Sequence, residues 1–508
     1  MKKFVSLLLA MMMVIAMAAG AMAEENPKPY TITINNKIDG HTYEAYQIFK
    51  GNIAKDAEND SVADTKAVLS NVEWGNGVTY TGEGVDVDGV KSTAAADIAY
   101  ALANKELTLA ELLDDLTLTN VAATSTDAGD VYTISGLEAG YYLVKDQDGS
   151  LGGTHDAYTN FIIEVVENST VNPKSSVPSV EKKVDDVNDS NNSENEVEWE
   201  DSADYDIDDA VPFQLKATLA NNVSTYKTYK VVFHDTLSSD LTYNNDAKVY
   251  FNDNEVTSNF IITEENGNLT ISCDDVKKFG ATDNSVITVE YTATLNDKAV
   301  IGKPGNPNTV YLEYSNNPNW IPGGSNEPTG ETPEDKVIVF TYTVVVNKVD
   351  QDNAPLTGAG FTLYKKTASG EWVAVGEELT GEALTTFEWK GLDDGDYKLS
   401  ETTTPAGYNT IADIEFTITA EHDVTSDDPK LTKLNGVEST GKVILSGEHK
   451  ANVDTAAGSL TTAVVNKQGA TLPETGGMGT TMMYIGGGLL VAFAVIMLAP
   501  KRRMNAAE

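Results

Sequence analysis

Tyr397-Lys-Leu-Ser-Glu401-Thr-Thr-Thr-Pro405-Ala-Gly407-Tyr408 alternates apolar and polar residues and then breaks at a Pro/Gly turn. Alternate residues of a strand share a face, so Tyr397, Leu399 and Glu401 point the same way. A carboxylate on an inward face is costly unless a partner meets it, which marks Glu401 as a candidate functional residue. The same period of two recurs in Tyr30-Thr-Ile-Thr-Ile34, Tyr229 to Phe233, Thr309 to Tyr314, Val337 to Val346 and Ala463 to Val465, with Gly, Asn and Asp clusters between the runs. That pattern predicts a mainly β chain of tandem, immunoglobulin-like antiparallel sandwiches. One stretch departs from it. Ile98, Ala101, Leu102, Leu109, Leu112, Leu113 and Leu116 recur at helical spacing and predict a helical excursion over Asp97–Leu116 of the first domain.

The 508 residues suffice for about three domains. Two Pro/Gly/Ser-rich stretches punctuate them: Asn172-Pro173-Lys174-Ser-Ser-Val-Pro178, and Pro322-Gly-Gly-Ser-Asn-Glu-Pro328 through Pro333. The expected division is therefore 24–172, 173–335 and 336–470. The 35 Lys+Arg stand against 77 Asp+Glu, a formal net charge of −42. Such a surface repels phosphate backbones and excludes nucleic acid as a partner. The single cysteine, Cys273, excludes an intrachain disulfide, and the five histidines show no zinc-ligand spacing. No cofactor is expected. The acidic run Glu198 to Asp209 reads as solvated loop, and no Ser-His-Asp spacing indicates a hydrolase.

The ends carry targeting signals. Lys2 and Lys3, an apolar run from Phe4 to Met17 and the small residues Ala21-Met22-Ala23 form a secretory signal peptide over residues 1–23, with a mature start at Glu24. Near the other end Met482 to Pro500 is apolar and of spanning length, and Lys501-Arg502-Arg503 follows as a cytoplasmic anchor. Leu472-Pro473-Glu474-Thr475-Gly476 precedes that span. The order LPxTG, apolar span and basic tail over residues 471–508 resembles the cell-wall sorting signal of Gram-positive surface proteins. The resemblance implies cleavage by a sortase between Thr475 and Gly476 and transfer of the Thr475 carbonyl to an amine, with a transient membrane tether before sorting.

Two further motifs extend the likeness. Gly358-Ala359-Gly360-Phe361-Thr362-Leu363-Tyr364, together with the Tyr397–Tyr408 stretch, resembles a CnaB-type (SpaA-like) pilin domain, the latter being its so-called E-box. Val231-Val-Phe-His-Asp235-Thr-Leu-Ser resembles the acid-bearing strand of a CnaA-like domain. The chain as a whole resembles a major, or backbone, subunit of a sortase-assembled pilus. The family joins a Lys to an Asn in each such domain, promoted by a buried acid, here Glu401 and Asp235.

Parity selects the partners. Lys348 shares a face with Val344 and Val346, and Asn466 with Val464 and Thr462. In the middle domain Lys182 lies with Val180 and Val184, Asp235 with Val231 and Phe233, and Asn316 with Val310, Leu312 and Tyr314. The expected pairs are Lys348–Asn466 and Lys182–Asn316, with Lys183 and Asn317 on the opposite faces as alternatives. Burial would hold the lysine as a neutral amine and the acid protonated. In the first domain, His41-Thr-Tyr-Glu-Ala-Tyr46-Gln-Ile-Phe49 and Gly140-Tyr-Tyr-Leu-Val-Lys145 resemble pilin N-terminal strands but offer no such trio.

Val171-Asn172-Pro173-Lys174 resembles the end of the pilin motif, although the Tyr before Pro and an upstream Trp are missing. It makes Lys174 the amine that accepts Thr475 of the next subunit. The implied partners are a pilus-specific and a housekeeping sortase, identical subunits, minor pilins, peptidoglycan and host surface glycoproteins. A monomeric wall-anchored CnaB-type adhesin or an ancillary pilin shares these modules, and dependence of a polymer on Lys174 separates the readings.

Overall fold

The computed structural model describes residues 29–55, 67–151, 155–173, 176–190, 197–320, 327–469 and 483–491. The signal peptide, Lys174 and the 472–476 pentapeptide lie outside them. Of the apolar run 482–500, residues 483–491 are described and are helical. Among the described residues no helix is long and apolar enough to cross a membrane.

The chain is mainly β and forms three successive sandwiches. The first pairs a sheet ordered Ser169–Val171, Tyr30–Asn35, Val131–Leu137 and Thr126–Asp127 against one ordered Asn160–Val165, Gly140–Asp146, Tyr43–Lys55 and Ala67–Trp74. The helical excursion forms two short helices, Ala95–Ala103 and Leu109–Asp114. Ile98, Ala99 and Leu112 bury fully against the sheet, which is what the helical spacing of apolar residues requires. A capping box sets the start of the second helix: the Thr108 hydroxyl accepts from the Glu111 N–H while the Glu111 carboxylate accepts from Thr108 N.

In the middle sandwich one sheet runs Trp199–Glu200, Ser179–Asp185, Ala210–Thr218, Val286–Leu295 and Lys248–Phe251. The other runs Ser202–Asp204, Asp335–Phe340, Asn306–Ser315, Val231–Leu237, Asn268–Cys273 and Ile261–Glu265. Its strands show the alternation in full. Val211, Phe213, Leu215 and Ala217 are buried while their neighbours face outward. The third sandwich places Thr386–Leu392, Tyr342–Asp350, Ser459–Asn466, His449–Asp454 and Thr440–Ser446 against Trp372–Ala374, Gly360–Lys366, Gly395–Thr403 and Ile414–Ile418.

The junction between the second and third sandwiches sits later than the linker composition predicts. Asp335–Phe340 pairs with Asn306–Val310 and with Ser202–Asp204, so it completes the middle domain beyond the expected division after 335. Its two faces serve two cores: Val337 and Val339 pack into the middle domain, Ile338 and Phe340 into the last. The end of the Pro-rich stretch also belongs to the middle domain, because Thr329–Glu331 pairs back onto Glu313–Ser315.

The first domain also holds a buried ion cluster that the sequence did not reveal. His41 lies between Asp146 and Asp156, each ring nitrogen 2.8 Å from a carboxylate oxygen, and all three side chains are buried. Two carboxylates can be satisfied at once only if both ring nitrogens donate, which makes the ring an imidazolium. Burial lowers its pKa, but the hydrogen bonds and charges of Asp146 and Asp156 outweigh that and raise it from 6.5 to about 9. A raised histidine pKa stabilises the fold fully below the unfolded value, and the benefit disappears as pH climbs through the folded one. The first domain is therefore expected to lose roughly 2 kcal/mol between pH 6.5 and 9, the full shift being discounted for solvent screening. Calorimetry of its unfolding transition across that range checks this, and His41→Gln is expected to flatten the slope. A wild-type transition independent of pH over the window would contradict the assignment.

Candidate cross-linking sites

The third domain brings Lys348, Glu401 and Asn466 together. Lys348 and Asn466 lie on neighbouring parallel strands of one sheet, Lys348 opposite Val464 and Asn466 two residues further on the same face. Glu401 reaches them from the facing sheet, on the strand Gly395–Thr403. Lys348 and Asn466 are completely buried and Glu401 is 6% exposed. The Asn466 amide nitrogen donates to both Glu401 oxygens, at 2.8 and 3.0 Å. Glu401 Oε2 also accepts from the Ile411 N–H at 3.1 Å. Lys348 Nζ donates to two neutral backbone carbonyls, those of Val349 and Val464, at 2.9 and 3.1 Å. Burial lowers the Lys348 pKa, opposed by Glu401 and Asp350. The Asn466 carbonyl oxygen is buried without a hydrogen-bond partner.

The middle domain builds a related cluster across its two sheets. Lys182, on the first strand, and Asp235, from the opposite sheet, form a fully buried ion pair. Tyr291 joins them: its hydroxyl accepts from Lys182 Nζ at 3.1 Å and donates to Asp235 Oδ1 at 3.0 Å. The amide nitrogen of Asn308 donates to the same hydroxyl at 2.7 Å, and its carbonyl oxygen has no partner. Phe213 and Tyr291 rings flank the ammonium at 5.3 and 5.4 Å. Desolvation lowers the Lys182 pKa and raises that of Asp235, each opposed by the partner's charge. Both shifts favour the neutral pair of amine and carboxylic acid.

The asparagine expected here, Asn316, is not part of the cluster. It shares the inward parity of Asn308 but lies beyond the end of the strand Asn306–Ser315, under the first domain. Its side-chain amide nitrogen donates to the Asp156 carbonyl at 3.4 Å and its backbone carbonyl accepts from Tyr158 N at 2.7 Å, while its side-chain carbonyl oxygen, like that of Asn308, is buried without a partner. Strand register explains the difference. Asp235 pairs with Val310 and Leu237 with Asn308, so Asn308 sits one step from the acid and Asn316 several. Lys183 faces away and pairs with Asp201, and Asn317 caps a turn by accepting from Asn319 N. Tyr291 went unnoticed in the sequence because it sits in the apolar period Ile287, Val289, Tyr291, Ala293 and reads as core.

In both clusters a buried lysine with a depressed pKa, a buried acid and an asparagine with an orphaned carbonyl meet in an apolar interior. An unsatisfied buried carbonyl costs about 1–3 kcal/mol and calls for an explanation.

Comparison with known proteins follows the same lines. Residues 342–430 match the family described as SpaA, prealbumin-like fold domain. The trypsin-resistant surface T6 protein of Streptococcus pyogenes serotype M6 is 28% identical over 259 residues, 46% of this chain. The alignment spans 44% of that protein's length. The solved T6 backbone pilin of serotype M6 S. pyogenes, a modular three-domain structure, superposes over 88% of this chain and 99% of its own, at 18% identity and a TM-score of 0.52. The full-length major pilin SpaD of Corynebacterium diphtheriae covers 87% of this chain and 98% of its own, at 16% identity and a TM-score of 0.47. Residues 342–430 are thus similar to the SpaA prealbumin-like fold domain, and the chain shares the three-domain fold of the T6 backbone pilin.

Proposed function

We propose that this chain is the shaft subunit of a covalently polymerised Gram-positive pilus, and that its second and third domains cross-link themselves. The observation that carries the reading is the twice-repeated buried Lys–acid–Asn cluster with an orphaned amide carbonyl.

In the third domain the neutral Lys348 amine attacks Asn466 Cγ. A C–N bond forms and the bond to Asn466 Nδ2 breaks. The proton shed by the amine passes through Glu401, which already touches Nδ2, to the departing nitrogen, and ammonia leaves. In the middle domain Lys182 first gives its proton to Asp235. The amine then attacks Asn308 Cγ and a C–N bond forms. Tyr291 relays the proton from Asp235 to Asn308 Nδ2, the Cγ–Nδ2 bond breaks and ammonia leaves, and the proton shed by the attacking amine returns to Asp235. Placement by the fold supplies the effective concentration for a reaction that is sluggish between free side chains. Each bond forms once per molecule, so the chemistry is maturation rather than turnover. The product amide replaces a buried lysine amine and an asparagine NH2 in each core by a single neutral N–H.

Outside the cell, a pilus sortase cuts after Thr475 and passes its carbonyl to Lys174 of the next subunit. A housekeeping sortase then attaches the polymer, with its minor pilins, to peptidoglycan. Such a head-to-tail contact does not close on itself and so extends as a filament. Expression with a cognate sortase in a Gram-positive host tests this part. The wild type is expected to give a ladder of high-mass species on denaturing gels, and Lys174→Ala to collapse it to a single wall-linked band. A ladder that survives Lys174→Ala would move the acceptor to another lysine, and no ladder in the wild type would favour a monomeric wall-anchored adhesin.

A further inference from the structure

The contact between the second and third domains is unusual for its charge. Asp204 ends the strand Ser202–Asp204 of the middle domain, while Asp393 and Asp394 form the turn between Thr386–Leu392 and Gly395–Thr403 of the third. One oxygen from each lies within 4.8 Å of the other two. Asp204 is 2% exposed and Asp393 1%. Asp186, from the loop after Ser179–Asp185, adds a fourth carboxylate beside Asp204. The nearest cation, Lys365, is already shared among Asp189, Asp206 and Asp393. His422, next to Asp186, is pushed by burial towards its neutral form.

A second feature points into the same pocket. The hydroxyl of Tyr342 is completely buried, meets no partner in good hydrogen-bond geometry and lies against Asp204, with Asp393 and Asp394 beyond it. One oxygen of Asp204 is likewise buried without a partner. A buried hydroxyl and a buried carboxylate oxygen that meet without a well-formed hydrogen bond, beside two further carboxylates, call for a positive ligand that satisfies both.

We propose that this pocket binds one divalent cation, a calcium ion, held by Asp204, Asp393 and Asp394 with the Tyr342 hydroxyl as a neutral ligand, and that the ion fastens the middle domain to the third. The donors are all hard oxygens, which calcium prefers. Calcium–oxygen distances of 2.3–2.6 Å allow ligand atoms up to about 5 Å apart, which these three carboxylates satisfy. The ligands come from both sides of the junction at Thr341, so a bound ion resists bending there. In its absence the carboxylates burden one another: burial and the neighbouring acids raise the pKa of Asp204 to about 7 and of Asp394 to about 6. This inference stands apart from the cross-linking chemistry and does not depend on it.

Isothermal titration of the exported chain, stripped with chelator, against calcium chloride and against magnesium chloride tests the site. One saturable calcium site per chain is expected, with magnesium weaker and with calcium raising the unfolding temperature. Asp204→Asn and Asp394→Asn are each expected to weaken calcium binding at least about tenfold. Without calcium, Asp204→Asn is expected to unfold no lower than the wild type, because it removes a buried, unpaired charge. That opposite response separates a lost site from a damaged fold, and Asp394→Asn, at the less buried edge, carries the test should Asp204→Asn not fold. Absence of saturable binding at millimolar calcium, or binding undiminished in both variants, would overturn the proposal.

Discussion

A purified chain spanning Glu24 to Thr475 is expected to weigh two ammonia molecules less than its sequence requires. Each domain's acid controls its own loss. Glu401→Ala is expected to restore one ammonia and Asp235→Ala the other, because without the acid no group moves the proton from the amine to the leaving nitrogen. The asparagines give a sharper test. Asn308→Ala is expected to restore the middle-domain ammonia, whereas Asn316→Ala is expected to leave the mass loss intact, since Asn316 meets the first domain and not Lys182. Tyr291→Phe keeps the Lys182–Asp235 pair but removes the hydroxyl between acid and amide, so it is expected to slow ammonia loss by about 10²-fold or more without altering the fold. A time course of intact mass after refolding reads that rate, which a purely structural role of Tyr291 would not change. Full mass in the wild type would remove both cross-links. Loss persisting in Asn308→Ala would mean that another amide reacts.

Much of this was legible in the sequence, and each failure has its own physical cause. Parity assigns a face, and the buried Val180, Lys182 and Val184, or Val344, Val346 and Lys348, lie on the faces the alternation predicts. Parity does not assign a height along the strand. Asn308 and Asn316 lie on the same face of one segment and are both buried, so only pairing register, set by contacts distant in sequence, tells which of them meets Asp235. The third domain was easier because its three residues sit at pattern landmarks: the end of the E-box strand and the two strands Tyr342–Asp350 and Ser459–Asn466. His41 and Tyr291 were hidden for the opposite reason. Each is flanked by core-forming residues, and only the fold shows the carboxylates and amides that converge on them. The junction at Thr341 was obscured because one continuous extended run, 335–350, serves two cores, and composition registers the Pro-rich stretch of sequence before it instead.

Lys348→Met is expected to lower the unfolding temperature of the third domain by about 15–20 °C. Cross-linking Lys348 to Asn466 closes a loop of more than one hundred residues, and the chain-entropy account gives roughly 4–5 kcal/mol for a loop of that length. For a domain of this size one kcal/mol corresponds to about 4 °C. Methionine has a similar length and carries no charge, so the substitution removes the bond without leaving a buried amine unpaired. Glu401→Ala also prevents the bond but strands Lys348 in an apolar core, and it is expected to unfold at a lower temperature still. That order, wild type above Lys348→Met above Glu401→Ala, separates the cross-link from the packing and is read by calorimetry. Tension enters the third domain through Tyr342–Asp350, which follows Asp335–Phe340 of the middle domain, and leaves through Ser459–Asn466; these two third-domain strands lie side by side and parallel. A covalent bond from Lys348 to Asn466 passes the load straight across, so the residues between them are outside the force path. Pulled by its ends, the wild-type domain is expected to show no unfolding step below the force that breaks covalent bonds, and Lys348→Met to unfold and extend. An unfolding temperature within a few degrees of wild type for Lys348→Met, or a wild-type domain that extends under load, would mean that hydrogen bonding and packing alone hold these strands.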